Sequence, residues 1–220
     1  MVDEYLSERE QAEQLRHWLR ENWIWLVAGV ALTLGGFYGW RWWESRQAGR
    51  SIEAEARFTT MLNALAGDQR DEGLRIAGEL TSEYADTPYA DQATLVLARI
   101  DVDGGDLAKA RERLAQVMES SDDPELRLVA RLRLARVQLA EAQHDAALAT
   151  LAGAGEASVE ARVAELRGDV LLAKGDRAAA LAAYRQAQAA AGAAGPGMEL
   201  VDAQLLGLKI DELAAAAATE

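Results

Sequence analysis

The hydrophobic and polar positions of this chain follow two patterns: one long apolar run, and then a series of amphipathic segments. The run, residues 23–40, reads WIWLVAGVALTLGGFYGW and holds eighteen positions without a charged side chain. As a helix that rises about 1.5 Å per residue, it would extend over roughly 27 Å, close to the hydrocarbon thickness of a bilayer. The run therefore predicts a single transmembrane helix.

The tryptophans support this interpretation, because all six lie between positions 18 and 43, towards the two ends of the run. Indole rings favour the headgroup boundary, which accommodates both an apolar ring and an N–H donor. A buried core helix would not sort its aromatic residues in this way. The acidic amino end is also unlike the basic start of a cleaved signal peptide. The predicted membrane-interface residues are Trp23, Trp25, Trp40, Trp42 and Trp43.

Small residues recur every four positions within the run, at Ala31, Gly35 and Gly39. Such a stripe on one helix face allows a second membrane helix to approach closely. Glycine is also common in membrane helices for its own sake, so the stripe is compatible with a helix partner and with none.

Beyond the run the chain repeats itself, with the clearest units at residues 91–124, 128–160 and 161–194. Each unit has a small residue at an equivalent position: Ala98, Ala135 and Gly168, which are 37 and 33 positions apart. Twelve positions after each stands an alanine, and sixteen positions after each stands a large residue. These partners are Ala110, Ala147 and Ala180, followed by Leu114, Leu151 and Tyr184.

A period in the mid-thirties with two helices per unit is typical of tetratricopeptide repeats, in which small residues let paired helices pack closely. An arbitrary alanine-rich bundle is the alternative, but turns rich in glycine and aspartate at matching places favour repeats. Residues 198–217 are predicted to form a capping helix over the last exposed face. The predicted fold is thus all-α, a single transmembrane helix followed by a tetratricopeptide-repeat-like α-solenoid.

Charge narrows the set of partners, since the part of the chain after residue 50 carries 17 basic and 29 acidic side chains, a formal charge of −12. Nucleic acids and anionic lipid surfaces are themselves negative, so neither is expected to bind this part. Cysteine is absent, which excludes disulfides and thiol chemistry.

Catalytic chemistry is not indicated by any motif. The two histidines, His17 and His144, lie in different regions, and no catalytic triad order, metal-ligand cluster or phosphate-binding loop is present. The many carboxylates are expected to form solvated helix faces. The sequence predicts a protein that is not an enzyme and binds no cofactor, metal or small-molecule substrate.

A repeat solenoid instead offers a face lined by the first helix of each unit. Arg99 and Arg136 occupy the same place in successive repeats, with Arg133 close by and Asp169 at the equivalent place in the third. Aligned guanidinium groups can grip an acidic tail or an extended peptide. The alternative is that these residues pair with neighbouring carboxylates of the same acidic domain.

Orientation cannot be assigned from charge, because three arginines precede the run and four follow it closely. Here a resemblance contributes. The acidic amino tail, the span that ends in GWRWW, and the repeat motifs LRLARVQ at 132–138 and LRGDVLLAKGD at 166–176 together resemble the ancillary SecYEG translocon subunits, the YfgM-like proteins of Gram-negative bacteria.

The resemblance implies a cytoplasmic acidic tail at 1–22, a span at 23–40, a juxtamembrane segment at 41–50 and a periplasmic repeat domain at 51–220. It also implies an inner-membrane protein without catalytic residues. Such a protein would associate with the SecYEG channel and the membrane-anchored chaperone PpiD, and would help exported proteins leave the channel. The alternative is a membrane-tethered regulator that sequesters a signalling protein of an envelope stress response.

Overall fold

A computed structural model describes residues 8–154, 159–193 and 201–217, and the regular elements in these ranges are α-helices. The chain divides into two compact units, the first ending at Ile52 and the second beginning at Glu53. The helices in chain order are α1 Glu8–Ala66, α2 Arg70–Glu83, α3 Pro88–Asp103, α4 Leu107–Ser120, α5 Pro124–Ala140, α6 His144–Ala152, α7 Glu160–Ala173, α8 Arg177–Ala193 and α9 Ala203–Ala217.

The predicted segments fall partly outside the described residues. The residues outside the described ranges include the first seven of the acidic tail, residues 198–200 at the start of the capping helix, and the last three of the chain. They also include residues 155–158, which belong to the second repeat, and residue 194 at the end of the third. The described part of the predicted capping segment is α9.

The first unit consists of the part of α1 that carries the long apolar run. Among the described residues, no single helix has both the length and the apolar character that a membrane crossing requires. Two consecutive pieces, Arg16–Trp25 and Val27–Trp42, meet the requirement of length and composition when taken together, with a bend of 43° between them.

The second unit is a stack in which each helix from α2 onward packs against the next one in the chain. In addition, α3 contacts α5, and α5 contacts α7. The odd-numbered helices α3, α5 and α7 therefore form an inner layer of the stack. Contacts restricted to near neighbours in sequence are the organisation of a helical solenoid.

The core of this unit is a row of four clusters of buried apolar side chains. Each cluster draws on three neighbouring helices, so the core continues along the stack. The second cluster, for example, joins Leu95 of α3, Leu114 of α4 and Leu134 of α5. The third joins α5, α6 and α7 in the same way around the fully buried Leu151.

Turns between paired helices contain one residue with positive φ each: Gly105 at 81°, Ala142 at 58° and Gly175 at 92°. These positions are 37 and 33 residues apart, which is the spacing of the repeats. Asp106 and Asp176 follow the two glycines, and each carboxylate accepts a hydrogen bond from a backbone N–H in the first turn of the next helix. The second turn has alanine where the others have glycine, and α6 begins directly after Gln143.

Replacement of Ala142 by glycine should stabilise the protein, because an L side chain in the left-handed region is strained and glycine is not. We expect a gain of about 0.5–1 kcal/mol in the free energy of unfolding, measured by urea unfolding of the full-length protein in mild detergent. Ala149→Gly, at an exposed position within α6, is the matched control and should lose about 0.5–1 kcal/mol. A loss in Ala142→Gly as well would show that this turn is not strained.

Candidate partner-binding groove

Helices α3, α4 and α5 enclose a cavity of about 370 Å³, which we call the groove. Its apolar lining comes from all three helices: Ala98, Val102, Leu107, Leu114, Val137 and Ala140. Its charged lining comes from the inner-layer helices alone: Arg99, Arg133, Arg136 and Asp103. The structure thus brings together the three arginines that the repeat pattern singled out, beside an apolar surface.

The three arginines differ in whether they form an ion pair with a carboxylate of the chain. Arg99 donates from Nε to both carboxylate oxygens of Asp103, at 2.9 and 3.0 Å, so it is paired within its own helix. For Arg133 and Arg136, the described residues supply neither a hydrogen-bond partner nor an ion-pair partner. Pairing with neighbouring carboxylates, the alternative to partner binding, therefore holds at Arg99 and does not extend to Arg133 and Arg136.

Arg136 is partly buried and lies near charges of both signs. Partial burial between the helices lowers the pKa of its guanidinium, and the nearby charges of Arg162 and then Arg133 act in the same direction. Glu165 and Asp169 oppose this effect by raising the pKa of Arg136, but they do not reverse it. Burial is therefore the first cause of the lowered pKa, and the charges around Arg136 are of both signs.

Asp169 does not line the groove but belongs to a polar cluster that joins α7, α8 and α9. Its Oδ1 accepts a hydrogen bond from the Tyr184 hydroxyl and another from Lys209 Nζ, both at 2.7 Å. Lys209 also donates to Glu165 at 3.1 Å. Burial and the bond to Asp169 raise the pKa of Tyr184. Burial lowers the pKa of Lys209, but its two carboxylate partners outweigh that effect and the net pKa is raised.

The repeat-packing residues lie in the core clusters at equivalent places. Ala98, Ala110 and Leu114 share the second cluster, Ala135, Ala147 and Leu151 the third, and Ala180 and Tyr184 the fourth. Gly168 is buried under the ring of Tyr184, and a Cβ atom built on it would lie 2.5 Å from Cδ1 of that ring. Close approach of α7 and α8 therefore depends on the absence of a side chain at this position.

The residues singled out in the first unit are exposed. Trp23, Trp25, Trp40 and Trp42 show between 56 and 76 % of their surface, while the side chain of Trp43 is outside the described part. The guanidinium of Arg46 lies over the Trp42 ring, 5.4 Å from its centre. Ala31, Gly35 and Gly39 are exposed as well, and Cβ atoms added at the two glycines would meet nothing within 4 Å.

The groove can bind by charge and by apolar contact. Across residues 8–154, 159–193 and 201–217, no group of three or more acidic or histidine side chains is placed to hold a metal ion. Sequence reasoning missed Lys209, which joins Asp169 from forty positions away, because no local pattern links two such distant residues. It also missed the Arg99–Asp103 pair, although a spacing of four on a helix is a readable signal.

Comparison with known proteins gives a consistent set of relatives. The model of the "Tetratricopeptide repeat-like domain" family matches residues 16–215. Proteins named "Ancillary SecYEG translocon subunit" are 33 % identical in Haemophilus influenzae, over 83 % of this chain and 89 % of the relative, and 37 % identical in Escherichia coli, over 82 % and 86 %. The Neisseria gonorrhoeae protein of that name is 27 % identical over 93 % of this chain and 99 % of its own.

Among solved structures, MamA from Desulfovibrio magneticus RS-1 is similar, with a TM-score of 0.51. It is 17 % identical and covers 76 % of this chain and 96 % of its own length. At this level of identity the likeness concerns the fold alone.

Proposed function

Because this chain belongs to the ancillary SecYEG translocon subunits and to the tetratricopeptide repeat-like domain family, we propose that it is a non-enzymatic ancillary subunit of the SecYEG translocon. The observation that carries this proposal is the extent of the similarity, which runs over more than four-fifths of this chain and of the two most identical relatives reported above.

The membrane part of the proposal assigns residues 23–40 to a single span, residues 1–22 to a cytoplasmic tail, 41–50 to a juxtamembrane segment and 51–220 to the periplasm. Support comes from the exposed apolar side chains of the first unit, such as Ile24 at 59 % and Leu32 at 78 %. Burial of apolar surface is the dominant favourable term for such side chains, and a bilayer would supply it. The exposed tryptophans near both ends of the run are consistent with an aromatic belt.

The repeat domain would act as a scaffold that holds a membrane-anchored periplasmic chaperone near proteins that emerge from the channel. Support comes from the groove, where apolar side chains and two guanidinium groups without an ion-pair partner among the described residues line one cavity. Recognition of an extended segment in a preformed groove uses this combination, with apolar contacts for affinity and charges for orientation.

Crosslinking in intact cells, followed by mild-detergent purification through a carboxyl-terminal tag, tests the proposal. We expect channel subunits to co-purify with the protein, together with a periplasmic chaperone. Recovery of a cytoplasmic or stress-response regulator in stoichiometric amount, without the channel, would instead support a membrane-tethered regulator.

A variant with residues 23–40 replaced by an unrelated span of equal length is the matched control for this experiment. If the channel is lost from the purified material, the native span makes part of the contact. If the channel is retained, recognition belongs to the second unit.

A further inference from the structure

We propose that the groove binds an extended acidic segment of a partner protein, with Arg133 and Arg136 holding its carboxylates and the apolar lining holding the small aliphatic side chains between them. The proposal deepens the proposed function and rests on it in one respect, namely that the segment belongs to a protein which the repeats hold. Three features of the described residues carry the inference: the charge of the groove, guanidinium donors that no described residue engages, and the dimensions of the groove.

The charge of the groove is opposite to that of the chain around it. The whole chain carries a formal charge of −13, whereas the groove is lined by three arginines and a single carboxylate. Asp103 is already engaged by Arg99. An anionic partner thus finds two available positive charges here, while the acidic faces elsewhere would repel it.

Arg133 and Arg136 are exposed and have no hydrogen-bond or ion-pair partner among the described residues, whereas several other arginines of the second unit are paired. Arg57, Arg75 and Arg113 each contact a carboxylate of the chain. Arg111 pairs likewise with Glu141 at 3.0 Å. In contrast, neither Arg133 nor Arg136 has an ion-pair partner among the described residues. A guanidinium group presents five donors in a fixed fork that matches a carboxylate.

The neighbouring charges strengthen this requirement. Burial lowers the pKa of Arg136, and the like charges of Arg162 and Arg133 act in the same direction, while Glu165 and Asp169 act in the opposite one. A carboxylate placed between Arg133 and Arg136 would relieve the repulsion between these two and supply the acceptors that the described residues do not. The groove is therefore better suited to an anion than to a neutral or basic segment.

The dimensions of the groove decide between an extended segment and a folded surface. A cavity of about 370 Å³ is at the small end of the range for ligand sites, and it accommodates a few side chains at most. Arg133 and Arg136 are three positions apart on α5, roughly 4.5 Å along the helix axis. Acidic side chains two positions apart in an extended chain are about 6.6 Å apart, within the adjustable reach of two arginine side chains.

The test uses the full-length protein in mild detergent and a fluorescein-labelled decapeptide in which aspartate alternates with valine and alanine. Two further peptides replace every aspartate by asparagine or by lysine. We expect fluorescence anisotropy to give an affinity for the aspartate peptide about tenfold above that for the asparagine peptide, because hydrogen bonds to charged groups are the stronger ones. We also expect this preference to fall as salt is raised. Equal binding of all three peptides, or no binding of any, would overturn the proposal.

Arg133→Gln combined with Arg136→Gln should reduce the affinity for the aspartate peptide about tenfold and leave that for the asparagine peptide unchanged. Arg70→Gln with Arg185→Gln changes the net charge equally at two exposed positions outside the groove, and should bind like the wild type. An equal loss in both double variants would mean that overall charge, not the groove, attracts the peptide.

The two proposals fail separately in this design. Peptide selectivity is measured with purified protein and needs no channel, whereas co-purification from crosslinked cells needs no peptide. If the channel co-purifies but the peptides bind alike, the groove proposal is wrong and the translocon proposal stands. If the peptide preference is present but the channel never co-purifies, the translocon proposal is wrong and the groove proposal stands.

Discussion

Replacement of Gly168 by alanine is expected to lower the free energy of unfolding by about 2 kcal/mol, the usual cost of forcing an extra methyl group into a packed core. The reason is the ring of Tyr184, which is fully buried in the fourth cluster and lies 2.5 Å from the place that the new Cβ would occupy. The intrinsic helix preference of alanine acts in the opposite direction by about 1 kcal/mol, so the observed loss would understate the steric cost. Urea unfolding of the full-length protein in mild detergent measures the effect.

Gly78→Ala is the matched control for this prediction. Gly78 is exposed within α2, and a Cβ added there meets nothing within 4 Å. This substitution should therefore stabilise the protein by about 0.5–1 kcal/mol. The contact with Tyr184 is isolated by Tyr184→Leu, which should make the added cost of Gly168→Ala smaller in the double variant than in the single one. If both alanine substitutions stabilise the protein equally, the helices α7 and α8 do not depend on Gly168 for their approach.

The repeat architecture was accessible to sequence reasoning because its causes are local and recur. Two antiparallel helices approach closely only where small side chains face each other, so alanine or glycine must return at a fixed spacing with a large residue to fill the next gap. The prediction of an all-α, tetratricopeptide-repeat-like solenoid is confirmed by the family match and by the likeness to MamA. The recognition of the family itself is confirmed by the named relatives.

The hydrogen bonds and ion pairs between side chains could be predicted from the sequence only in part. The Arg99–Asp103 pair follows from helical spacing alone. The cluster of Asp169, Tyr184 and Lys209 does not, because it requires α9 to fold back against α7 and α8. Asp169 is thus engaged within the chain, although the repeat register aligns it with Arg99 and Arg136. A register assigns residues to equivalent places but does not determine which of them are already engaged.

The groove was likewise predictable from the sequence only in part. That Arg99, Arg133 and Arg136 share one cavity follows from the register of α3 and α5 in the inner layer. That Arg133 and Arg136 remain without an ion-pair partner among the described residues depends on where each neighbouring carboxylate points. The two carboxylates that act on Arg136, Glu165 and Asp169, both pair with Lys209.

Arginine at both Val30 and Leu34 is expected to abolish stable membrane insertion. Both side chains are exposed in the first unit, at 59 and 50 %, and both lie near the middle of the apolar run. A central arginine costs about 2.5–3.5 kcal/mol on the insertion scale, so the pair would cost roughly 5–7 kcal/mol. This cost exceeds the favourable free energy of insertion expected for an apolar run of this length. We expect the variant to leave the carbonate-resistant membrane fraction, which retains proteins that span the bilayer.

The outcome of this experiment bears on the proposed function as well as on the span. Gln116→Arg with Gln188→Arg adds the same charge at two exposed positions of α4 and α8, and should remain in the membrane fraction like the wild type. If the variant with arginines at positions 30 and 34 also remains there, residues 23–40 do not reside in the hydrocarbon layer. An ancillary subunit would then have to reach the translocon through its second unit alone, and the loss of channel subunits after replacement of residues 23–40 would no longer be expected.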